Sequence, residues 1–315
     1  MTIEVTPQND GIDRRGFLEC MAWAGSGLIW TVADGLPGTQ AFGQNRKAAR
    51  PNDFSFVQIS DSHIGFGKDP NKDVVGTLQA AVEKINALLQ PPAFVLHTGD
   101  LTHLARPEEF DTVAEVLKGV NTKVFYVPGE HDFDGDDNQL YLERFGTGTQ
   151  GTGWYSFDHQ GVHFVGLVNV ANAKSGSTNG LGQLGAEQLQ WLARDLAGKS
   201  DSHPVVVFAH VPLWAVYEKW GWATQDAEQA LKLLKRFGSV TVLNGHIHQI
   251  MQKVEGKIVF HTARSTAFPQ SEPGKGTPGP IRDLPANRLR GVLGVTTVGY
   301  VENKGSLAIA DPTLA

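Results

Sequence analysis

Residues 54–63 read Phe-Ser-Phe-Val-Gln-Ile-Ser-Asp-Ser-His, an apolar run that passes directly into polar side chains. The aromatic and β-branched residues of 54–60 predict a buried strand. Asp61 and His63 follow immediately after it. In α/β proteins the loops at the carboxyl ends of strands carry functional groups. We therefore expect this strand to deliver Asp61 and His63 to a site at the edge of a sheet.

The chain beyond this stretch alternates between helical and strand patterns. Apolar residues recur at helical spacing over residues 74–89, and Pro91-Pro92 ends that helix. Residues 93–97 predict a second buried strand, residues 107–118 a helix that begins with proline, and residues 123–127 a third strand. This β-α-β-α-β order favours a mostly parallel sheet with short functional loops at one edge.

The second half of the chain predicts the other elements of the same domain. We expect a hairpin at 154–158 and 162–168, helices at 186–196 and 225–237, strands at 205–209, 240–243, 250–254 and 257–261, and more strands after residue 290. Residues 171–184 and 265–287 predict long loops, the second of which is a lid, a substrate loop or a plain linker. Because both halves share one alternation scheme, we expect a single domain.

Five short polar clusters each follow a predicted strand. They are Asp61-Ser62-His63, Gly99-Asp100, Gly129-Glu130-His131-Asp132, Ala209-His210 and Gly245-His246-Ile247-His248. Strand ends at one sheet edge converge in space, so distant clusters can form one pocket. Carboxylate oxygens and imidazole nitrogens together suit Zn, Mn, Fe or Ni better than Ca or Mg. A single cluster of this kind is commonly a turn or a cap, whereas five in this order predict a metal site.

The order of these clusters resembles the calcineurin-like metallophosphoesterases, and within them the class III cyclic nucleotide phosphodiesterase type. The pattern around the predicted helix at 186–196 also looks like that subgroup's helix after the central hairpin, on Leu184, Gln188, Trp191 and Leu192. The resemblance covers residues 53–262 and implies an α/β fold, a four-layer α/β/β/α sandwich. Residues 263–315 are expected to complete the same domain with a loop and strands.

The resemblance also implies a phosphoric ester hydrolase with two metal ions. The expected ligands are Asp61, His63 and His248 for one metal, His210 and His246 for the other, and Asp100 as the bridge between them. A water shared by the two ions would lose its proton near neutral pH and attack phosphorus in line. His131 would protonate the leaving oxygen, and Asp132 would orient His131. The expected cofactors are two divalent or mixed-valence ions of Mn, Fe or Zn, and the expected substrate is a small phosphate ester.

Glu130 departs from the family pattern, which has Asn at this position. A carboxylate can bind a metal, but when ionised it cannot donate a hydrogen bond to phosphate. Three interpretations of Glu130 follow. In the first, Glu130 is a metal ligand, and the site favours phosphodiesters over monoester dianions or requires a trivalent metal. In the second the side chain turns away and one tightly held metal remains, and in the third the protein is a catalytically silent metal- or ligand-binding protein. Phosphodiester hydrolysis is the leading interpretation. A phosphomonoesterase of the same fold is the alternative within enzymes.

Two further side chains are candidate substrate contacts. His103 lies three residues after Asp100, where it could touch the phosphate or a carboxylate behind the metal ligands. Trp214 follows His210 closely, and its ring could stack on a nucleobase or an aryl leaving group. The alternative for Trp214 is a packed loop or a subunit contact. His97, within a predicted buried strand, is expected to be a hydrogen-bonded core residue.

The first 43 residues differ from the rest of the chain. Asp13-Arg14-Arg15-Gly16-Phe17-Leu18 precedes a modest apolar run at 21–32, and Ala41-Phe42-Gly43 could end a cleavable segment. This arrangement resembles a twin-arginine export signal and implies export by that machinery to the periplasm or beyond the cell. The apolar run is too short to span a bilayer, so no transmembrane segment is expected.

Composition excludes several other classes of protein. The 315 residues are 41% hydrophobic, with a formal net charge of −6, which is unlike a disordered chain. No dense Lys/Arg run is present, so we expect no nucleic-acid binding. Cys20 is the sole cysteine and lies within the predicted signal, so a mature chain would have neither disulfides nor cysteine-based zinc sites. The sequence leaves the oligomeric state open.

Overall fold

The computed structural model describes residues 29–33, 36–40, 52–134, 137–171, 181–302 and 307–315. Within the predicted export signal, strands β1 (Ile29–Ala33) and β2 (Leu36–Gln40) pair antiparallel, and the rest of residues 1–43 lies outside the described residues. No helix in the described part of the chain is long and apolar enough to cross a membrane.

A five-stranded mixed sheet contains the first predicted strand. Its order is β13 (Ala308–Ala310), β12 (Thr296–Tyr300), β3 (Phe54–Ile59), β4 (Phe94–Thr98) and β5 (Lys123–Val127). Strands β3, β4 and β5 are parallel neighbours, as the alternation of the first half predicts. Strand β12 pairs antiparallel with β3, so the end of the chain completes this sheet.

A six-stranded mixed sheet is formed by the second half of the chain. Its order is β10 (Gln252–Glu255), β11 (Ile258–Thr262), β9 (Val240–Asn244), β8 (Val205–Ala209), β7 (Val162–Gly166) and β6 (Tyr155–His159). The four inner strands are parallel, and the two edge strands pair antiparallel. The alternation of elements did not reveal that the strands divide into two separate sheets.

Helices cover the outer faces of both sheets. The helices α1 (Val74–Asn86), α2 (Pro107–Leu117) and α3 (Gln139–Phe145) lie on the five-stranded sheet, and α4 (Ala186–Ala197) and α5 (Ala227–Leu234) lie on the six-stranded sheet. A short helix, α6 (Ala286–Leu289), begins at the end of the second long loop. Helix α3 was not predicted. Helix α1 ends three residues earlier than predicted, which leaves Leu89 almost fully exposed.

Three apolar clusters correspond to the three interfaces of a four-layer sandwich. One lies between α1, α2, α3 and the five-stranded sheet, and another between α4, α5 and the six-stranded sheet. The third joins the two sheets through aromatic residues, among them Phe56, Phe94 and Phe164. The ring of Phe164 lies edge-on to both Phe56 and Phe94, at 5.3 and 5.1 Å between centroids. This central layer holds the two sheets face to face and confirms the expected α/β/β/α architecture.

Candidate metal centre

The two sheets bring the carboxyl ends of their strands to a common edge. Asp61 and His63 follow β3 in one sheet, and His248 follows β9 in the other. The Nε2 atom of His248 lies 3.2 Å from Asp61 Oδ1 and 3.2 Å from His63 Nε2. Two clusters nearly 190 positions apart in the chain therefore meet at one point, as the strand-end argument predicts.

Asp61, His63 and His248 form the first group that could hold a metal ion. Their candidate ligand atoms lie within 4.8 Å of one another, and all three residues are buried. Burial opposes ionisation of Asp61, yet His248 and His210 outweigh it and lower the pKa of its carboxyl to about 2. Burial and the neighbouring imidazoles of His131 and His248 lower the pKa of His63 well below its usual value. An anionic carboxylate beside neutral imidazole is a suitable ligand combination.

Glu130, His210 and His246 form the second group. Glu130 Oε2 lies 2.9 Å from His210 Nε2, and Glu130 Oε1 lies 3.0 Å from His246 Nδ1. Burial opposes ionisation of Glu130, but His246 and His210 outweigh it and lower the pKa of its carboxyl well below the usual value. Burial likewise disfavours charge on His210, while Asp100 and Glu130 raise its pKa well above normal. The carboxylates that attract this proton would also attract a metal cation.

Asp100 lies between the two groups. Its Oδ2 atom is 3.4 Å from His63 Nε2 and 3.3 Å from His210 Nε2, one residue from each group. Its Oδ1 atom accepts a hydrogen bond of 2.9 Å from the backbone N–H of His131. This position fits a carboxylate shared by two metal ions about 3.5–4 Å apart.

Buried polar atoms without well-formed hydrogen bonds indicate that the second group fits a metal ion. Glu130 Oε2, His210 Nε2 and both ring nitrogens of His246 are buried and make no hydrogen bond of good geometry, although the Glu130 oxygens lie 2.9 Å from His210 Nε2 and 3.0 Å from His246 Nδ1. Orphaned atoms of this kind are costly in a protein interior and require an explanation such as a bound ion. One ligand atom each from Glu130, His210 and His246 lies within 4.8 Å of the others, and a carboxylate with two imidazoles suits Mn, Fe or Zn.

The backbone is strained at the predicted ligands. Seven non-glycine residues in the described chain have a left-handed φ, and five of them are Asp61, His63, Asp100, His246 and His248. Such conformations cost of order 1–3 kcal/mol each and cluster at functional sites. The Asp61–Ile64 turn is held by three backbone hydrogen bonds to the carbonyls of residues 99–101. Gly99 permits this packing, because a Cβ there would lie 2.5 Å from the ring of His210.

Carbonyl groups behind the site orient two of the imidazoles. His210 Nδ1 lies 2.7 Å from the carbonyl oxygen of Thr98, and His248 Nδ1 lies 2.5 Å from that of Phe268. Each Nδ1–H donates to its carbonyl, which leaves Nε2 directed at the carboxylates. The ring of Phe268 also lies 4.8 Å from that of His63.

The start of the second long loop supports the metal ligands. Ser265 Oγ donates to the carbonyl of Asp61 at 2.8 Å, and Gln270 Nε2 donates to the carbonyl of His246 at 3.0 Å. The sequence predicts a lid, a substrate loop or a linker here, and it gives no indication of the roles of Ser265, Phe268 and Gln270. No residue pattern announces them, because their contacts depend on how the loop returns across the sheet edge.

His131 and Asp132 have different partners from those expected. His131 Nδ1 lies 2.7 Å from the carbonyl oxygen of His103, and a ring nitrogen of His131 lies within 4.8 Å of Asp100 and Glu130. The carboxylate of Asp132, predicted to orient His131, accepts hydrogen bonds from backbone N–H groups of Gly129, Leu101 and Thr102 and from the Thr102 hydroxyl. Burial and nearby Asp100 raise the pKa of Asp132 to about 6. Asp132 therefore ties the Asp100 loop to the Glu130 loop, and the His103 carbonyl orients the ring of His131.

The two candidate substrate contacts have different surroundings. His103 lies at the site, with its Nδ1 3.4 Å from His63 Nδ1 and its ring stacked 4.9 Å from that of His131. Trp214 instead packs on Phe260 of β11, at 5.1 Å between ring centroids, against the core beneath α4 and α5. This placement corresponds to the packed-loop alternative for Trp214. His97 is fully buried and bonded to Ser62, as expected of a core histidine.

Comparison with known proteins gives a consistent family. A family model described as calcineurin-like phosphoesterase matches residues 54–250. A protein of Arcobacter nitrofigilis named "Probable glycerophosphodiester phosphodiesterase" is 26% identical over 66% of this chain and 77% of its own. A 3',5'-cyclic-nucleotide phosphodiesterase of Nostoc sp. is 23% identical over 75% of this chain and 86% of its own.

Solved structures agree on the fold. A dimetal phosphatase from Danio rerio superposes with a TM-score of 0.64 at 17% identity, covering 83% of this chain and 96% of its own. The family model spans all five ligand clusters, and these clusters assemble at one sheet edge. The chain therefore belongs to the calcineurin-like phosphoesterase family, and the protein is a metallophosphoesterase.

Proposed function

We propose that this protein is an exported phosphodiesterase that uses two metal ions. The observation that carries the proposal is the position of Glu130, whose carboxylate lies against His210 and His246 among the candidate ligands. This geometry supports the ligand interpretation of Glu130 over the one in which the side chain turns away. Relatives named as glycerophosphodiester and cyclic-nucleotide phosphodiesterases support the same substrate class.

We assign the ligands by their contacts. Asp61, His63 and His248 would hold one ion, and Glu130, His210 and His246 the other, with Asp100 shared. Two bound ions would activate the attacking water and neutralise charge on the phosphoryl oxygens. Imidazole and carboxylate donors fit Mn, Fe or Zn.

The charge of the site favours a diester. Two divalent ions would bring four positive charges, and the carboxylates of Asp61, Asp100 and Glu130 would offset three of them. With a neutral amide at position 130, the two remaining carboxylates would offset only two. A phosphodiester carries one negative charge and a monoester dianion two. The additional carboxylate therefore penalises the monoester more strongly, because like charges close together repel.

His131 is placed to act as the general acid. Its Nδ1–H donates to the carbonyl of His103, which fixes the ring and makes Nε2 the atom that would carry the transferable proton. Protonation of the leaving oxygen by a positioned histidine contributes typically 10²–10⁴-fold to a rate. The carboxylate of Asp132 holds the Asp100 and Glu130 loops together, because it accepts hydrogen bonds from backbone N–H groups of both loops.

The proposed location rests on the N-terminal sequence. Arg14-Arg15, the apolar run that follows and Ala41-Phe42-Gly43 resemble a twin-arginine signal. Export by this route moves folded proteins, so the metals could be loaded before transport. An extracytoplasmic phosphodiesterase would serve nutrient scavenging or envelope chemistry.

Metal content and turnover test the proposal together. We would purify the protein from the exported fraction, measure metal per chain, and compare bis-aryl phosphate with aryl phosphate, with and without added Mn²⁺. We expect two metals per chain and faster diester turnover. One metal or none, with no turnover after reconstitution, would overturn the proposal, and faster monoester turnover would favour a phosphatase.

A further inference from the structure

The two ring nitrogens of His63 face different groups. Nε2 points into the site, 3.4 Å from Asp100 Oδ2 and 3.2 Å from His248 Nε2. Nδ1 points the other way, 3.4 Å from Nδ1 of His103. An imidazole that binds a metal through one nitrogen carries its hydrogen on the other, and that N–H requires an acceptor.

The corresponding acceptors for two other candidate ligands are backbone atoms. His210 Nδ1 faces the carbonyl of Thr98, and His248 Nδ1 faces that of Phe268. His63 differs, because the group opposite its Nδ1 is a side chain. Substitution can therefore change the support of His63 while leaving the backbone of the site intact.

We propose that His103 is a positioning residue for the metal ligand His63. Its Nδ1 accepts a hydrogen bond from Nδ1–H of His63, and this holds Nε2 of His63 toward Asp100 and His248. The inference rests on the proposed two-metal function. It replaces the substrate contact expected of His103 from its place in the sequence.

His103 is itself held in place from several sides. Its backbone N–H donates to the carbonyl of Ile64 at 2.9 Å and lies 3.3 Å from the buried carboxylate of Glu109. Its ring stands edge-on to Phe66 at 5.2 Å and stacks on His131 at 4.9 Å with an interplanar angle of 13°. A ring fixed in this way presents its acceptor without further ordering, as a supporting residue requires.

The two possible roles of His103 predict different measurements. A contact to phosphate changes KM, and the change persists when metal is saturating. A group that holds a metal ligand changes the affinity for metal, and partners of this kind typically contribute 10–100-fold. At saturating metal both sites are filled, so turnover is largely recovered, and KM for the ester stays close to that of the wild type.

Three variants separate these roles. His103→Leu removes the acceptor but keeps an apolar side chain against Phe66. His103→Asn restores an acceptor, because Asn Oδ1 stands as many bonds from Cα as Nδ1 of histidine. His203→Leu is the matched control, since His203 lies near Asp158 at the far end of the six-stranded sheet.

The experiment measures Mn²⁺ affinity of the full-length apo-proteins by titration calorimetry. KM for bis-aryl phosphate is measured at saturating Mn²⁺, and circular dichroism melting of the apo-proteins checks folding. For His103→Leu we expect a loss of about 10–100-fold in affinity at one of two sites. His103→Asn should recover most of it, and KM should stay within about twofold of wild type in every variant.

Affinity in His103→Leu equal to wild type would overturn the inference, as would a raised KM at saturating metal with unchanged affinity. Failure of His103→Asn to recover affinity would also overturn it, since any acceptor at this position should serve. If the variants give these contrary results but the wild-type protein binds two ions and hydrolyses the diester, only the inference about His103 fails and the proposed function stands. Wild-type protein that binds no metal would overturn both.

Discussion

Glu130 Oε2 lies 2.9 Å from Nε2 of His210, inside the group of residues that could hold the second metal ion. The family pattern has a neutral amide at this position. The substitution therefore adds a negative charge at the point where a phosphoryl group would approach. Its effect should appear in which phosphate esters the enzyme accepts.

Neutralising Glu130 should shift selectivity toward monoesters. A unit charge about 5 Å away is worth roughly 3 kcal/mol at an effective dielectric constant of 20, and bound ions would screen much of this. For Glu130→Gln and Glu130→Asn we expect the monoester-to-diester ratio of kcat/KM to rise about tenfold. Gln keeps the side-chain length, so agreement between the two variants would assign the effect to charge.

A surface variant provides the control for Glu130. Glu143 on α3 is a half-exposed carboxylate beside Arg144. Glu143→Gln makes the same change of charge away from the site and should leave the ratio as in wild type. An unchanged ratio in both Glu130 variants would contradict the charge argument.

Shortening Trp214 should affect stability and leave catalysis intact. Its ring packs on Phe260 and against the core beneath α4 and α5. For Trp214→Ala we expect a loss of about 2 kcal/mol, because large-to-small changes in packed regions cost this order of energy. For a domain of this size that corresponds to a fall in Tm of roughly 4 °C.

Kinetics decide between this packing role and stacking on substrate. KM for bis-aryl phosphate should stay within about twofold of wild type in Trp214→Ala, and Trp214→Phe should retain most of the stability. A several-fold higher KM at an unchanged Tm would show instead that the ring contacts substrate.

The ligand clusters could be predicted because strand periodicity fixes where each one falls. Asp61, Asp100, His210 and His246 each follow a run of strand-forming residues, and the parallel strands of both sheets end at the same edge. Their positions thus depend on local patterns and on one rule of sheet geometry.

Loop residues could not be placed in the same way. Trp214 and Phe268 both lie in irregular segments, where side-chain direction is set by tertiary packing. Phe268 reaches the site and Trp214 turns to the helix layer, although nothing in their local sequences distinguishes them. Helix α3, of only seven residues, was also missed. A helix this short depends on packing more than on its own propensity.

The hairpin β6–β7 offers a test of pH dependence away from the metal site. His163 Nδ1 lies 2.9 Å from Asp158, and its Nε2 lies 2.7 Å from Asp195, which also accepts from Ser156. Burial alone would raise the pKa values of both carboxyls, but hydrogen bonds and charges outweigh it and lower them, led by Lys199 and then His163 at Asp158, and by His163 at Asp195. Carboxyls with a lowered folded-state pKa stabilise the fold above their unfolded pKa of 3.8.

Removing His163 should therefore matter less in acid. For His163→Leu with chelator present we expect a loss of about 1–2 kcal/mol at pH 7, mostly from Asp195, because Asp158 is largely exposed. The loss should shrink as pH falls below about 4, where wild type forfeits the same interactions. Thermal melts at pH 7 and pH 3.5 measure this, and equal differences at both would contradict it.

Removing the proposed proton donor, His131, should make the rate sensitive to the leaving group. His131 is held by the carbonyl of His103 close to Asp100 and Glu130, where a leaving oxygen would depart. An alkoxide must be protonated as it leaves, whereas a nitrophenolate leaves readily without help. For His131→Ala we therefore expect kcat to fall about 10²–10⁴-fold for an alkyl diester such as a glycerophosphodiester, and about tenfold or less for bis(4-nitrophenyl) phosphate. Metal content, measured in parallel, should match wild type, because His131 is not among the assigned ligands. Equal losses for the two substrates would mean that His131 serves binding or metal retention in place of proton transfer.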